Sequence, residues 1–320
     1  MKKSYILFCL VLSLTYSITN GQNLTLRETE THLSINLIRE GTVAFGIEQI
    51  TTYQDINGKV VTKNIFNPIG TGICMYVKVK DSIVPCLVTA KHVIYDKAES
   101  WSPPRINIRF READTFSVDS FFGDTISLYI NKKPLWFSHP DSSVDLACIP
   151  IAPNTRLSIN KFPSLPYSLF ASEDDYFEGK EIFVLGYPSA IGLDLLNQAF
   201  LRKGTIAWVA KNKSFRNDKI LIDCNIFPGN SGGPVFSVSH NLGEVKNDTT
   251  FQYPRLFGIV SQRRFSGNKI YSINGLLRDY KGAEIYSNES TAVGVIITAK
   301  KITELLKFVQ DSLSKQKILE

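Results

Sequence analysis

Cysteine is scarce in this chain, and none of it is placed for metal. There are five in 320 residues, none in a Cys-x-x-Cys and none with a histidine at zinc-ligand spacing, so no metal site is implied. Dense lysine and arginine runs interleaved with aromatics are also missing. The formal net charge of +6 is therefore a mild bias, and a nucleic-acid partner has no support. Beyond roughly the first 20 residues no apolar run is long enough for a bilayer, which excludes a multi-pass membrane protein. There is no repeat of fixed period and no low-complexity tract. A charged fraction of 21% with Gly 20 and Pro 14 excludes disordered, collagenous and coiled-coil chains. Apolar residues at 43% suffice for a sizeable core, and the length fits two folding units or one large all-β unit.

What is present begins with an address. Lys2 and Lys3 precede a mostly apolar stretch, Tyr5–Ile18, which gives way to Thr19-Asn20-Gly21. A basic start, an apolar middle and small residues before a cut make residues 1–21 a signal peptide, cleaved after Gly21. The expectation is an exported protein, periplasmic or secreted, with no integral membrane span after cleavage. The apolar run is short for a retained anchor, and a tethered form is the alternative. Cleavage leaves Cys74, Cys86, Cys148 and Cys224. Three of these lie in apolar runs and read as buried thiols, although four cysteines also allow three disulfide pairings. The sequons at Asn23, Asn212, Asn247 and Asn288 are a weak pattern.

Short β-like runs dominate from 43 to 298. Ala44–Thr52 and Lys59–Ile65 flank Asn57-Gly58, a hairpin signal because both residues accept positive φ. Gly72–Lys80, Val84–Ala90, Arg105–Phe110, Thr125–Ile130 and Val144–Ile151 follow. After a proline- and asparagine-bearing break at 152–167 come Lys180–Tyr187, Gly204–Ala210, Lys219–Cys224, Gly233–Val238, Leu256–Gln262 and Ala292–Thr298. Without βαβ alternation, such spacing argues for a sandwich or barrels. One long helix is expected, at the C-terminus, where Ile302, Leu305, Leu306, Val309 and Leu313 form a single apolar stripe. The reading is all-β: a leader over 22–42, a first β-barrel over 43–155, a second over 168–298, and a helix and tail over 299–320.

The most specific string is Phe227-Pro228-Gly229-Asn230-Ser231-Gly232-Gly233-Pro234. At average residue usage its Gly-x-Ser-Gly-Gly-Pro core should arise by chance on the order of a few times in ten thousand. Glycines around one serine let the backbone turn sharply and bring N–H groups close to an incoming carbonyl. A serine alone is a poor nucleophile, so a base and an orienting acid should lie elsewhere. Of the four histidines, His92 ends the apolar run Leu87–Ala90 and can emerge at a barrel rim. His32, His139 and His240 lie in polar or loop segments and read as solvated surface residues. Asp145 opens the apolar run Leu146–Pro150, which draws its carboxylate inward, where it needs a partner such as an imidazole N–H. Asp114, Asp119, Asp124 and Asp141 sit in polar loops and are weaker candidates.

Thr89-Ala90-x-His92, Asp145-Leu146-Ala147 and Gly229-Asn230-Ser231-Gly232-Gly233-Pro234, in the order His, Asp, Ser, resemble the chymotrypsin-like (trypsin-like) serine peptidases. The bacterial exported HtrA/DegP-type branch is most similar in motif. The resemblance spans roughly 70–313 and takes in Gly70-Thr71-Gly72, Gly186-Tyr187-Pro188 and Phe257–Ser261. It implies two antiparallel six-stranded β-barrels with the site between them. It further implies peptide-bond hydrolysis through an acyl-enzyme, a protein or peptide substrate, and no metal or organic cofactor. By position, Ser231 is the nucleophile, His92 the general base and then acid, and Asp145 the orienting acid. The N–H groups of Gly229 and Ser231 form the oxyanion hole. The substrate side chain enters near Asn225, walled by Ser261, Gln262, Arg263 and Gly294.

Several positions depart from the family pattern. Lys91 stands before the histidine and Val93 after it, so the animal-type disulfide there is absent. Asn230 replaces the aspartate that pairs with a freed N-terminus in zymogen-activated relatives, which suggests that no activating cleavage is needed. Asn225 is uncharged, which argues against a Lys/Arg preference. Arg263 and Arg264 either meet an acidic substrate side chain or form a solvated pair. The insertion Arg263–Ser290 is expected to shape the entrance, and no PDZ domain is expected. The alternative to an active enzyme is a catalytically silent relative that binds peptides or proteins.

Overall fold

The computed structural model describes residues 26–54, 56–111, 121–151, 164–189, 198–209, 220–238, 254–269 and 286–316. The signal segment, His240, Asp114, Asp119 and the sequons at Asn23, Asn212 and Asn247 lie outside the described residues.

In chain order the elements are α1 (Leu26–Glu40), β1 (Thr42–Gln54), β2 (Val60–Val79), β3 (Ser82–Ala90), the one-turn α2 (Lys91–Ile94), β4 (Arg105–Arg111) and β5 (Phe121–Ser127). The short strands β6 (Tyr129–Ile130), β7 (Lys133–Pro134) and β8 (Phe137–Ser138) lead to β9 (Leu146–Pro150). The second half holds β10 (Glu181–Gly186), β11 (Phe200–Trp208), β12 (Ile220–Asp223), β13 (Pro234–Ser237), β14 (Arg255–Lys269) and β15 (Tyr286–Thr298), and the chain closes on α3 (Ala299–Gln316).

The second half is a closed six-stranded barrel, ordered β10-β11-β12-β15-β14-β13. The first half differs from the expected six-stranded barrel. It is a seven-stranded sheet, ordered β5-β4-β1-β2-β3-β9-β8, whose two end strands do not pair with each other among the described residues. Its terminal strand β8 has only two residues, paired to Cys148 and Ala147, too few to close a ladder against β5. The sheet nevertheless encloses its own core, including Phe45, Leu87, Ile108, Ile126 and Ile149. Apolar side chains alternating along neighbouring strands meet on one face of such a curled sheet.

Two expected strands, Lys59–Ile65 and Gly72–Lys80, are one continuous β2. It bends where Gly46 pairs Pro68 and Phe45 pairs Gly70, a bulge that absorbs the proline's missing N–H. Beyond the bulge β1 and β2 project as an exposed ribbon. At its tip only Gly58, with φ +75, takes the left-handed conformation; Asn57 does not. The expected entrance loop after Arg263 starts as paired backbone instead, since β14 runs on to Lys269 and β15 starts at Tyr286.

The leader also departs from expectation. Residues 26–40 form α1, whose Ser34 and Ile38, one turn apart, are buried. Its sparse apolar content hid it from periodicity, and packing against the main core stabilises it. His139, expected on the surface, is 3% exposed. Its N–H donates to the Leu146 carbonyl at 3.1 Å, and its Nε2 lies 3.4 Å from Glu304 of α3. Nothing local to His139 reveals that a helix some 160 residues later covers it. His32 is exposed as expected.

The expected stripe of α3 does the covering. Ile302, Leu305, Leu306 and Val309 are buried in a core shared with α1, β2 and β9 of the first half and with β10, β13, β14 and β15 of the second. The four cysteines after the signal segment are free and buried, and burial pushes the Cys74 and Cys148 thiols far above their ordinary range. Leu305→Ala should destabilise the protein by about 2–5 kcal/mol in urea unfolding, whereas exposed Gln310→Ala should stay within about 0.5 kcal/mol.

Candidate active site

Strands β3 and β9 pair up to Ala90↔Leu146, and the Lys91 N–H continues that ladder to the Asp145 carbonyl at 3.1 Å. At this point β3 turns into α2, so His92 leaves the sheet directly opposite Asp145. The Asp145 carboxylate accepts three hydrogen bonds. Its Oδ1 takes the His92 backbone N–H at 3.0 Å, and its Oδ2 lies 2.7 Å from His92 Nδ1. The third comes from the other half of the molecule, where the Ser261 hydroxyl on β14 donates to Oδ2 at 2.8 Å.

The carboxylate side chain is 20% exposed and the imidazole 33%. Burial is the largest single influence on the Asp145 carboxyl and pushes it up. The ring hydrogen bond and charge of His92, the Ser261 hydroxyl and the His92 amide act the other way, and together hold it below the usual carboxylate value. A charged carboxylate facing Nδ1 places the ring proton there and leaves Nε2 as the acceptor.

Ser231 sits on the turn that leads into β13. Its hydroxyl is 3.5 Å from the Ser261 carbonyl, and no hydrogen bond joins it to the His92 ring among the described residues. The turn is glycine-dependent: Gly229 and Gly232 have φ +92 and +86, and a Cβ on Gly229 would stand 2.2 Å from the Tyr187 carbonyl. The N–H groups of Gly229 and Ser231 have no partner among the described residues, whereas Asn230, Gly232 and Gly233 donate theirs to backbone carbonyls.

His92, Asp145, Ser231, Ser261 and Gly229 line one open cavity of about 1280 Å³, together with Ile69 and Tyr95 from the first half and Ile226 and Phe227 from the second. The positions expected to form the specificity pocket are brought together less fully. Asn225 is exposed and does not line this cavity. Gly294 is buried, and a Cβ there would meet Ile226 Cγ1 at 2.8 Å and Ile222 Cγ1 at 2.9 Å. Isoleucine therefore fills the space beside it. Gln262 and Arg263 pair through the backbone with Val295 and Gly294; their side chains lie outside the described residues.

Sequence reasoning cast Ser261 as a pocket wall and missed its bond to Asp145. Ile226 and Thr71 were not singled out either. Thr71 lay inside the quoted Gly70-Thr71-Gly72, but its bonds to residues 158 and 160 positions away leave no local signal.

No curated protein matches this chain. The trypsin-like peptidase domain, a known family, matches residues 70–243, a segment that begins in β2, ends just past β13 and includes His92, Asp145 and Ser231. That match covers more than half of the sequence, over a mostly β fold with a closed six-stranded barrel, and the chain belongs to the trypsin-like peptidase domain family.

Proposed function

We propose that this protein is an exported serine endopeptidase. The observation that carries the reading is the short contact between His92 Nδ1 and the ionised Asp145, in a cavity that also holds Ser231. In the reaction Ser231 Oγ attacks the scissile carbonyl while His92 Nε2 takes its proton. Asp145 keeps the ring in the required tautomer and stabilises the imidazolium. The unengaged N–H groups of Gly229 and Ser231 receive the developing oxyanion, each worth about 3–4 kcal/mol in comparable sites. The imidazolium then protonates the leaving amine, and a water deprotonated by His92 cleaves the acyl-enzyme. Ser231 has to turn from the Ser261 carbonyl toward His92, an adjustment of the kind that substrate binding makes in apo sites.

The basic and apolar N-terminus supports export, and the mature protein recovered from an exporting host should begin at Gln22. Fluorophosphonate should label residues 22–320 stoichiometrically and leave Ser231→Ala unlabelled. A folded wild type that stays inert from pH 6 to 9 would favour the second reading, a silent peptide-binding module, to which the present Ser231 orientation corresponds.

Asp145→Asn should keep the fold and lower kcat by about 10⁴-fold, because the amide can present its N–H to Nδ1 and favour the wrong tautomer. The lowered Asp145 carboxyl also predicts a linkage. Its contribution to folding is complete above the unfolded aspartate value of about 3.9 and is lost as pH falls through the lower folded value. Urea unfolding of wild type should therefore weaken more steeply below about pH 4 than that of Asp145→Asn.

A further inference from the structure

A peptide N–H points opposite to the carbonyl of the preceding residue, so the Gly229 N–H is set with the Pro228 carbonyl and the Ser231 N–H with the Asn230 carbonyl, and the turn that carries both is set by what holds its other carbonyls. The Pro228 carbonyl accepts the Ser189 N–H at 2.9 Å and the Ser189 hydroxyl at 3.2 Å. The Asn230 carbonyl accepts the Gly233 N–H at 2.9 Å. The remaining two go to one residue: Thr71 gives its hydroxyl to the Gly229 carbonyl and its N–H to the Ser231 carbonyl, both at 2.7 Å. Thr71 is itself held, since its hydroxyl accepts the Tyr187 N–H at 3.0 Å and its carbonyl accepts the Thr89 hydroxyl at 2.6 Å. It is 0% exposed. Asn230 is equally buried, yet neither Oδ1 nor Nδ2 has a partner among the described residues. The Gly229 and Ser231 carbonyls are anchored through Thr71, and the side chain beside Ser231 takes no part.

We propose that Thr71 is a positioning residue: by holding the peptides on either side of the Asn230–Ser231 link it keeps the turn that carries the Gly229 and Ser231 N–H groups in place, a role that rests on the peptidase reading above. Its hydroxyl joins β2, the exit of β10 and the turn before β13. Without it the Gly229 carbonyl loses its donor in a buried site, a costly state that the chain relieves by rotation. Gly229 has no Cβ to resist the rotation, and the same peptide carries the Asn230 N–H, whose bond to the Phe227 carbonyl at 3.0 Å is lost with it. The turn then loosens around the Gly229 and Ser231 N–H groups, which are no longer preorganised for an oxyanion. The role requires a group that donates and accepts at once, which serine keeps and valine, of the same shape as threonine, lacks.

The test compares wild type, Ser231→Ala, Thr71→Val and Thr71→Ser, each checked for a cooperative melt, with fluorophosphonate and with a peptide selected from a library. Thr71→Val should lower kcat on the order of 10²-fold, the range for loss of one oxyanion donor. Its KM should change less than about threefold, and the midpoint of its pH–rate profile should stay in place because His92 and Asp145 are untouched. Thr71→Ser should recover kcat to within about tenfold of wild type. A folded Thr71→Val with kcat within about threefold of wild type overturns the role. So does a folded Thr71→Ser that is more than about tenfold impaired, a comparison that stands alone if valine prevents folding. A wild type inert to the probe overturns the peptidase reading and this role together, which separates the two failures.

Discussion

One partly buried negative charge organises this molecule. Asp145 is drawn inward because it precedes the apolar strand β9, and a carboxylate in that position is costly unless every donor is supplied. The donors come from both halves: the backbone and ring of His92 from the first, the Ser261 hydroxyl from the second. The seam between sheet and barrel cannot open without stripping the charge of a partner. The interaction that orders the imidazole also fixes how the halves meet.

Two further features hold the seam. The stripe of α3 packs on strands of both halves, so the largest core lies between them and is not confined to either interior. Thr71, at the heart of β2, reaches across to the turn that carries Ser231. The open cavity lies along the same junction and takes its walls from both sides. A site built this way is rigid where polar groups converge. The neighbourhood of Gly294 is assembled differently, with Ile226 packed against it.

Much of this was legible in the chain because it is written locally. Alternating apolar residues marked nearly every strand, and the stripe at Ile302, Leu305, Leu306 and Val309 marked α3. The glycines around Ser231 announced a sharp turn, realised at Gly229 and Gly232 with positive φ. Asp145 could be chosen over Asp124 or Asp141 because an apolar strand follows it. The errors have a common origin. Helix α1 was missed because its apolar content is thin and its stability is tertiary. His139 was misassigned because the helix covering it is distant in sequence. The first barrel was expected closed, but strand propensity carries no information about whether the last ladder completes.

The sequence by itself determined most of the element types, the polar residues that the site brings together, and the family to which the chain belongs. These follow from side-chain period, from the turn chemistry of glycine, and from a motif too specific to be accidental. Tertiary structure alone decided that Ser261 donates to Asp145, that Thr71 holds the Gly229 and Ser231 carbonyls, and that isoleucine occupies the space beside Gly294. Each of these is a contact between residues far apart in the chain. Only the packing of sheet against barrel sets such distances, and hydrogen bonds act over about 3 Å.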